Sequence, residues 1–183
     1  MLMTMNKRGF SIVELVVVIT IIGILLTLAA VSFRNYQADA RNVERKDRAE
    51  NIVRYLEDIY KTGSTNPAVD RGTYPSPRII ATPEISTNVD PSKLESLFGK
   101  NGFDLDNLKS AGKDEYGFAL TSNLSDDPPV SVDQYVYQPL HYYETGGRDR
   151  CNYGSAWTCR TFNLYYATED GGSTVKHKIE STR

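Results

Sequence analysis

The 183-residue chain is poor in the side chains that most chemistry uses. It has two cysteines, Cys151 and Cys159, and two histidines, His141 and His177. That is too few for a zinc cluster built of cysteine and histidine alone. Neither charge is in strong excess: 21 Lys and Arg stand against 23 Asp and Glu, a formal charge of −2. Composition therefore makes no case for a nucleic-acid protein. There is no G-x-S-x-G, H-E-x-x-H, phosphate loop or Gly-rich dinucleotide turn. The expectation is a protein that is not an enzyme, with no cofactor and no metal. The length suits one domain with an appendage.

What the chain has in quantity is apolar surface near its amino end. From Leu15 to Phe33 there are 19 residues without a charge. At about 1.5 Å per residue this is roughly 28 Å, close to the hydrocarbon thickness of a bilayer. A secretory signal peptide has a shorter apolar region, about 7–15 residues, ending at a small-residue site. Here the run is longer and "LAAVSF" is a poor site, so a membrane helix is the better reading. Lys7 and Arg8 before the span favour a cytoplasmic amino end. Arg34, Arg41, Arg45, Lys46 and Arg48 follow it closely and argue the other way. The extracellular character of the remaining chain favours an exported carboxyl side.

One carboxylate, Glu14, interrupts the apolar region in "KRGFSIVEL", residues 7–15. An ionised carboxylate in hydrocarbon costs several kcal/mol, about 2.5 or more on insertion scales. A short leader ending in Lys7-Arg8-Gly9, then Phe10, then Glu14, then an apolar helix, resembles the type IV prepilins. Pseudopilins of type II secretion systems share the pattern. The resemblance is specific over residues 7–33 and continues more weakly to about Pro75. It implies cleavage by a prepilin peptidase between Gly9 and Phe10, with residues 1–9 as the leader, and N-methylation of Phe10. It also implies that Glu14 pairs with the Phe10 amino group of a neighbouring subunit and so sets the register of a filament. The alternative is an acid that snorkels to the interface. Many type IV pilins have a proline at the mature position that Val31 holds here. Gly23 is then the weak point of the run, at about 1 kcal/mol against alanine.

Behind the span, "RNYQADARNVERKDRAENIVRYLEDIYKTG" has no proline and no glycine before Gly63. Glu44–Arg48, Glu50–Arg54 and Glu57–Lys61 are acid-first pairs at i, i+4, each supporting a helix by a few tenths of a kcal/mol, roughly 0.2–0.5. Ala49, Ile52, Val53, Leu56, Ile59 and Tyr60 recur at helical spacing and make one apolar stripe. The spacing predicts a helix over 10–61, about 78 Å long, with a membrane half over 10–33 and an amphipathic half over 34–61. Two helices bent near Asn35 are the alternative. Gly63 is the stop. "RGTYP", residues 71–75, extends the resemblance, because a Gly-x-Tyr-Pro recurs after the spine in pilins.

Residues 62–115 read as a connecting region. Pro67, Pro75, Pro77 and Pro83 fall within 17 residues and mark a surface loop, packed by Tyr74, Ile79 and Ile80. Asp90-Pro91 followed by "SKLESLFG" predicts a short helix capped by Asp90, with Gly99 past its end. "DLDNLK" predicts a further turn. The aspartates of residues 104–106 and Asp126-Asp127 are weak candidates for Ca²⁺, since the EF-hand pattern is absent. Residues 116–183 read as a head. Antiparallel strands are expected over 116–122, 133–143, 158–169 and 174–180, with "EDGGS" as a hairpin turn. Pro139 predicts an edge strand or a break. The fold class expected is α+β: a long helical spine packed on a small antiparallel sheet, as in type IV pilins.

Cys151 and Cys159 enclose seven residues and do not form a C-x-x-C motif. In an exported head, which the resemblance implies, a disulfide closing this loop is expected, with two free thiols as the alternative. His141 and His177 read as ordinary sheet histidines. Tyr135, Tyr137, Tyr142, Tyr143, Trp157, Tyr165 and Tyr166 with Arg148, Arg150 and Arg160 could stack bases or sugars, or simply pack.

Three functions stay open. The resemblance implies first a structural subunit of an extracellular type IV pilus. Such a subunit is held in the cytoplasmic membrane before assembly and handled by the peptidase and the pilus assembly machinery. Its partners are its own copies and other pilins, and its fibre serves motility, attachment to a surface or DNA uptake. The second is a pseudopilin of a type II secretion system. The third is a non-polymerising binding domain on a membrane anchor.

Overall fold

The structure is a computed structural model that describes residues 11–65, 67–81, 89–99, 102–121, 127–142, 148–151 and 158–182. It falls into two units, Met1–Asp39 and Ala40–Arg183. One α-helix, α1 (Ile12–Thr62), belongs to both. It is one continuous helix through Asn35 rather than two.

In the first unit α1 is apolar on every side from Leu15 to Phe33, and the unit's described side chains are all exposed or nearly so. Its hydroxyls turn back on the helix. Thr20 donates to the Val17 carbonyl at 2.8 Å, Thr27 to Ile24 at 2.7 Å and Ser32 to Leu28 at 3.2 Å. The run therefore presents almost no unsatisfied polar group to hydrocarbon. By length and composition it can cross a membrane.

In the second unit α1 carries a single buried stripe, Ala49, Ile52, Leu56 and Ile59. Three- and four-residue steps keep these on one face. The helix ends at Gly63, which adopts φ +74° and donates its amide to Ile59 at 2.7 Å. A short β1–β2 hairpin (Ser64–Thr65 and Ala68–Val69) and a helical turn α2 (Pro77–Ile80) follow. Helix α3 (Pro91–Phe98) begins at the expected cap: the Asp90 carboxylate accepts the Ser92 amide at 3.0 Å. It buries Leu94, Leu97 and Phe98. "DLDNLK" forms a 3₁₀ turn over Leu105–Leu108.

Among the described residues the sheet has five strands: β3 (Phe118–Leu120), β4 (Tyr135–Tyr142), β5 (Arg148–Arg150), β6 (Thr161–Asp170) and β7 (Ser173–Glu180). Their order is β3-β4-β6-β7, with β5 also on β4. All pairings in this sheet are antiparallel except β3–β4, which is parallel. A parallel neighbour needs a crossover connection. The chain between Leu120 and Tyr135 supplies it, and its Val130 packs on Val136, Tyr165 and Ala167 on the face away from α1. The α1 side holds the main core, where Phe118, Leu120, Tyr135, Tyr137, Phe162 and Leu164 meet the helical stripe. The turn "EDGGS" closes β6 on β7 with Gly171 and Gly172 at φ +54° and +89°. Positive φ at both central positions is the turn that matches strand twist.

Pro139 neither ends β4 nor places it at an edge. It lies opposite Phe162 inside the β4–β6 ladder. Phe162 directs its amide and carbonyl to Ser181, away from β4. Pro139 therefore points its nitrogen to the other side, where β3 reaches only Tyr137 and β5 begins only at Leu140. The missing N–H falls in the gap between two short strands. The Pro139 carbonyl accepts the Cys151 amide at 3.1 Å.

Candidate functional site

The first candidate is the apolar half of α1 with its one acid. Glu14 stands in the first turn, where a negative charge favours the positive end of the helix. It is exposed and makes no hydrogen bond or ion pair among the described residues. Around it Ile12, Val13, Leu15 and the large apolar residues through Leu28, with Phe33, are open. This surface is too apolar to face water and has no cover within its own unit. It requires hydrocarbon or another apolar helix. The sequence-predicted Gly9 and Phe10 lie outside the described residues.

The second candidate is the polar joinery of the head. Tyr74 of the Gly-x-Tyr-Pro motif is buried, and its hydroxyl donates to Glu57 on α1 at 2.8 Å. Its amide donates to the Cys159 carbonyl at 2.7 Å. The Pro75 carbonyl accepts the Tyr137 hydroxyl at 3.0 Å. The motif thus ties spine, sheet and disulfide together. Cys151 and Cys159 are bonded, with Cα atoms 5.8 Å apart, and both are buried.

Glu57 is not the surface partner of Lys61 that its spacing suggests. It is buried, and it accepts from Tyr74 and, at 3.2 Å, from the Thr182 amide. It flanks the stripe, four residues after Val53 and three before Tyr60, and that position was the available signal. Of the three acid-first pairs, Glu44–Arg48 forms at 2.5 Å. Glu50 instead meets Lys46 behind it, at 3.8 Å.

Sequence reasoning also missed a cluster where the head begins. Glu169, at the end of β6, takes Arg45 at 2.7 Å on one carboxylate oxygen and Arg41 at 3.2 Å on the other. The guanidinium beside it holds the Glu169 carboxyl below its ordinary 4.5, Arg45 being the larger cause. Asn42 donates its amide to the Glu169 carbonyl at 2.7 Å and accepts the Glu169 N–H at 2.9 Å.

The remaining candidates are placed as follows. Asp104 caps the 3₁₀ turn and Asp106 meets Lys109 at 2.7 Å. Asp127 meets Lys176 at 2.5 Å, and Asp126 lies outside the described residues. Among the described residues no group of three His, Cys, Asp or Glu could hold a metal. His141 contacts the Thr158 carbonyl at 2.9 Å. His177 stacks on Tyr166 and contacts the Thr168 hydroxyl at 2.8 Å. Tyr135, Tyr137, Tyr165 and Tyr166 are buried, so these rings pack rather than offer a stacking face. Tyr143 and Trp157 lie outside the described residues. Burial pushes Tyr135 up to about 12 and Tyr137 well above 10.

Comparison with known proteins agrees with this reading. Residues 4–30 match the model of the prokaryotic N-terminal methylation motif. A fimbrial protein of Neisseria meningitidis is 30% identical over 96 residues, 52% of this chain and 52% of that protein. The chain therefore spans about half the length of the curated relative it matches. No solved structure matches. In motif and relative the chain is similar to type IV pilins, and its long helix packed on a small, mostly antiparallel sheet is consistent with their fold.

Proposed function

We propose that the chain is a structural subunit of a type IV pilus, cut after Gly9, methylated on Phe10 and polymerised through the apolar half of α1. The observation that carries this reading is an apolar helix, uncovered on all sides, with one carboxylate in its first turn and a methylation motif across it. In the membrane, hydrocarbon covers the helix. In a fibre, the same surface is reburied against other copies, at roughly 25 cal/mol per Å² of apolar area in either direction. Moving between the two changes little free energy of burial, so assembly needs a specific contact to reward the neighbour. Glu14 supplies it by meeting the new amino group of Phe10 on an adjacent subunit. In low dielectric an unpaired carboxylate is costly and a paired one is strongly directional. The head stays outside the membrane, and the protein's work is mechanical. The peptidase and the assembly machinery act on it, and the finished fibre serves motility, attachment or DNA uptake.

The test is Glu14→Gln and Glu14→Ala in cells that make the full chain. Expected is normal synthesis and membrane insertion with loss of this subunit from sheared surface fibres. Unchanged incorporation would remove Glu14 from the assembly contact, and absence of the unsubstituted chain from sheared fibres would make the helix a plain anchor. Incorporation only into a short periplasmic fibre would favour a secretion pseudopilin.

A further inference from the structure

The head is held to its helix by two kinds of contact, in sequence. From Ala49 onward the contacts centre on the apolar stripe, with Asn51, Tyr55 and Glu57 adding single polar bonds to the head. Before Ala49 they are polar and concentrated on three side chains, Arg41, Asn42 and Arg45, with Arg48 a turn later. Asn42 presents both an acceptor and a donor to the Glu169 backbone, as a neighbouring strand would. Arg45, only 3% exposed, donates to the Asn42 side-chain oxygen Oδ1 at 2.9 Å and to the Glu169 carboxylate at 2.7 Å. Arg41 closes the other carboxylate oxygen at 3.2 Å. Arg48 donates to the Lys109 and Ser110 carbonyls at 2.7 and 3.2 Å. The β6–β7 hairpin end and the 109–110 loop thus form a polar collar on the first two turns of α1 in the head unit, which begins at Ala40.

Position matters here. Arg34 to Asp39 are mostly exposed and depend on their own helical hydrogen bonds. A helix held by propensity alone is marginal, and tertiary contacts supply most helical stability in proteins. Opening that starts in residues 34–40 therefore meets its first tertiary contact at Arg41 and Asn42. Apolar contacts tolerate small slips, whereas the paired Asn42–Glu169 bonds are lost with a shift of less than about 1 Å in donor–acceptor distance.

We propose that Arg41, Asn42, Arg45 and Glu169 are positioning residues that stop unwinding of α1 at the head boundary and fix the head's register on the helix. Traction on the apolar half reaches the sheet hairpin at this collar and spares the Ala49–Ile59 stripe. The consequence for a fibre under tension rests on the pilus reading. The collar itself does not.

The test is amide hydrogen exchange on the full chain in detergent micelles, where no fibre is needed. In the unsubstituted protein, protection should rise sharply between residues 40 and 45. In Asn42→Ala/Glu169→Gln, amides of residues 45–48 should exchange at least tenfold faster, while those of residues 52–59 and of β6 and β7 keep their protection. Lys46→Gln/Glu50→Gln removes an exposed ion pair on the same helix and should leave residues 45–48 unchanged. Three results would overturn the proposal. Residues 45–48 could be indifferent to loss of the collar. Residues 52–59 could lose protection together with them, which would make the collar an ordinary part of global stability. Or the Lys46/Glu50 control could have the same effect as loss of the collar.

Discussion

The two halves of α1 are made of similar apolar residues and are stabilised in opposite ways. In the amino-terminal half these residues surround the helix, and Leu25 is 59% exposed. In the other half they are confined to one stripe, and Leu56 is 1% exposed. Composition separates the two, since no charge falls between Leu15 and Phe33, and angular distribution says what each can pack against. A stripe can be satisfied by one sheet of the same chain. A helix that is apolar all round needs a solvent of hydrocarbon or a ring of other helices. The polar residues Arg34 to Asp39 lie between the uncovered apolar surface and the part of α1 that packs within its own unit.

The contrast is broken most severely by deleting side chain from each half. Leu56→Ala should destabilise the head by about 2–5 kcal/mol, read as lowered thermal or denaturant stability of the full chain in micelles. Leu25→Ala should leave that transition in place. If both variants lowered it equally, the division of labour along α1 would be wrong.

Alkali tests the sheet side of the stripe. Tyr135 is raised to about 12 and Tyr137 well above 10 by burial. A raised folded value means that the stabilising contribution is complete below pH 10 and is lost as pH rises from there through about 12. Head unfolding should begin near pH 10 and coincide with ionisation of buried tyrosine in the ultraviolet spectrum. Tyr137→Phe removes one ionising group, at the cost of its bond to Pro75, and should shift the onset upward.

Reducing Cys151–Cys159 should cost about 2–3 kcal/mol on the loop-entropy model for this spacing, measured as a lower denaturant midpoint in the presence of reductant. The smallest effects belong to the surface. Asp90→Ala should cost about 1 kcal/mol through loss of the α3 cap. Lys46→Gln should cost no more than about 0.5 kcal/mol, since Lys46–Glu50 is exposed on both sides. Both are measurable as shifts of the same denaturant midpoint.

Local signals were readable and long-range ones were not. The spine, the Asp90-Pro91 start of α3 and the "EDGGS" hairpin are each encoded within a few residues, and each formed as expected. The four strands expected from the sequence were found, β3, β4 and β6 shorter than expected and β7 one residue longer. The parallel β3–β4 pairing was not legible, because it depends on how Val130 crosses the sheet. Neither was the short β5, nor the reason Pro139 fits inside a paired strand, which needs knowledge of both neighbours. Glu57 and Arg45 look like solvent-facing charges in an alternating helix. Their burial follows from Tyr74, Thr182 and Glu169, residues 17 to 125 positions away. Of the proposed assembly site, Glu14 and the apolar run around it are visible in the sequence, since that surface is defined without partners from the same unit.

The most direct measurement is mass spectrometry of the amino-terminal peptide from membrane and sheared-surface fractions. The account predicts a peptide that begins at Phe10, carries one added methyl group and is present in the sheared fraction. A leader intact through Gly9, in cells that contain the peptidase, would contradict it and leave α1 as an anchor only.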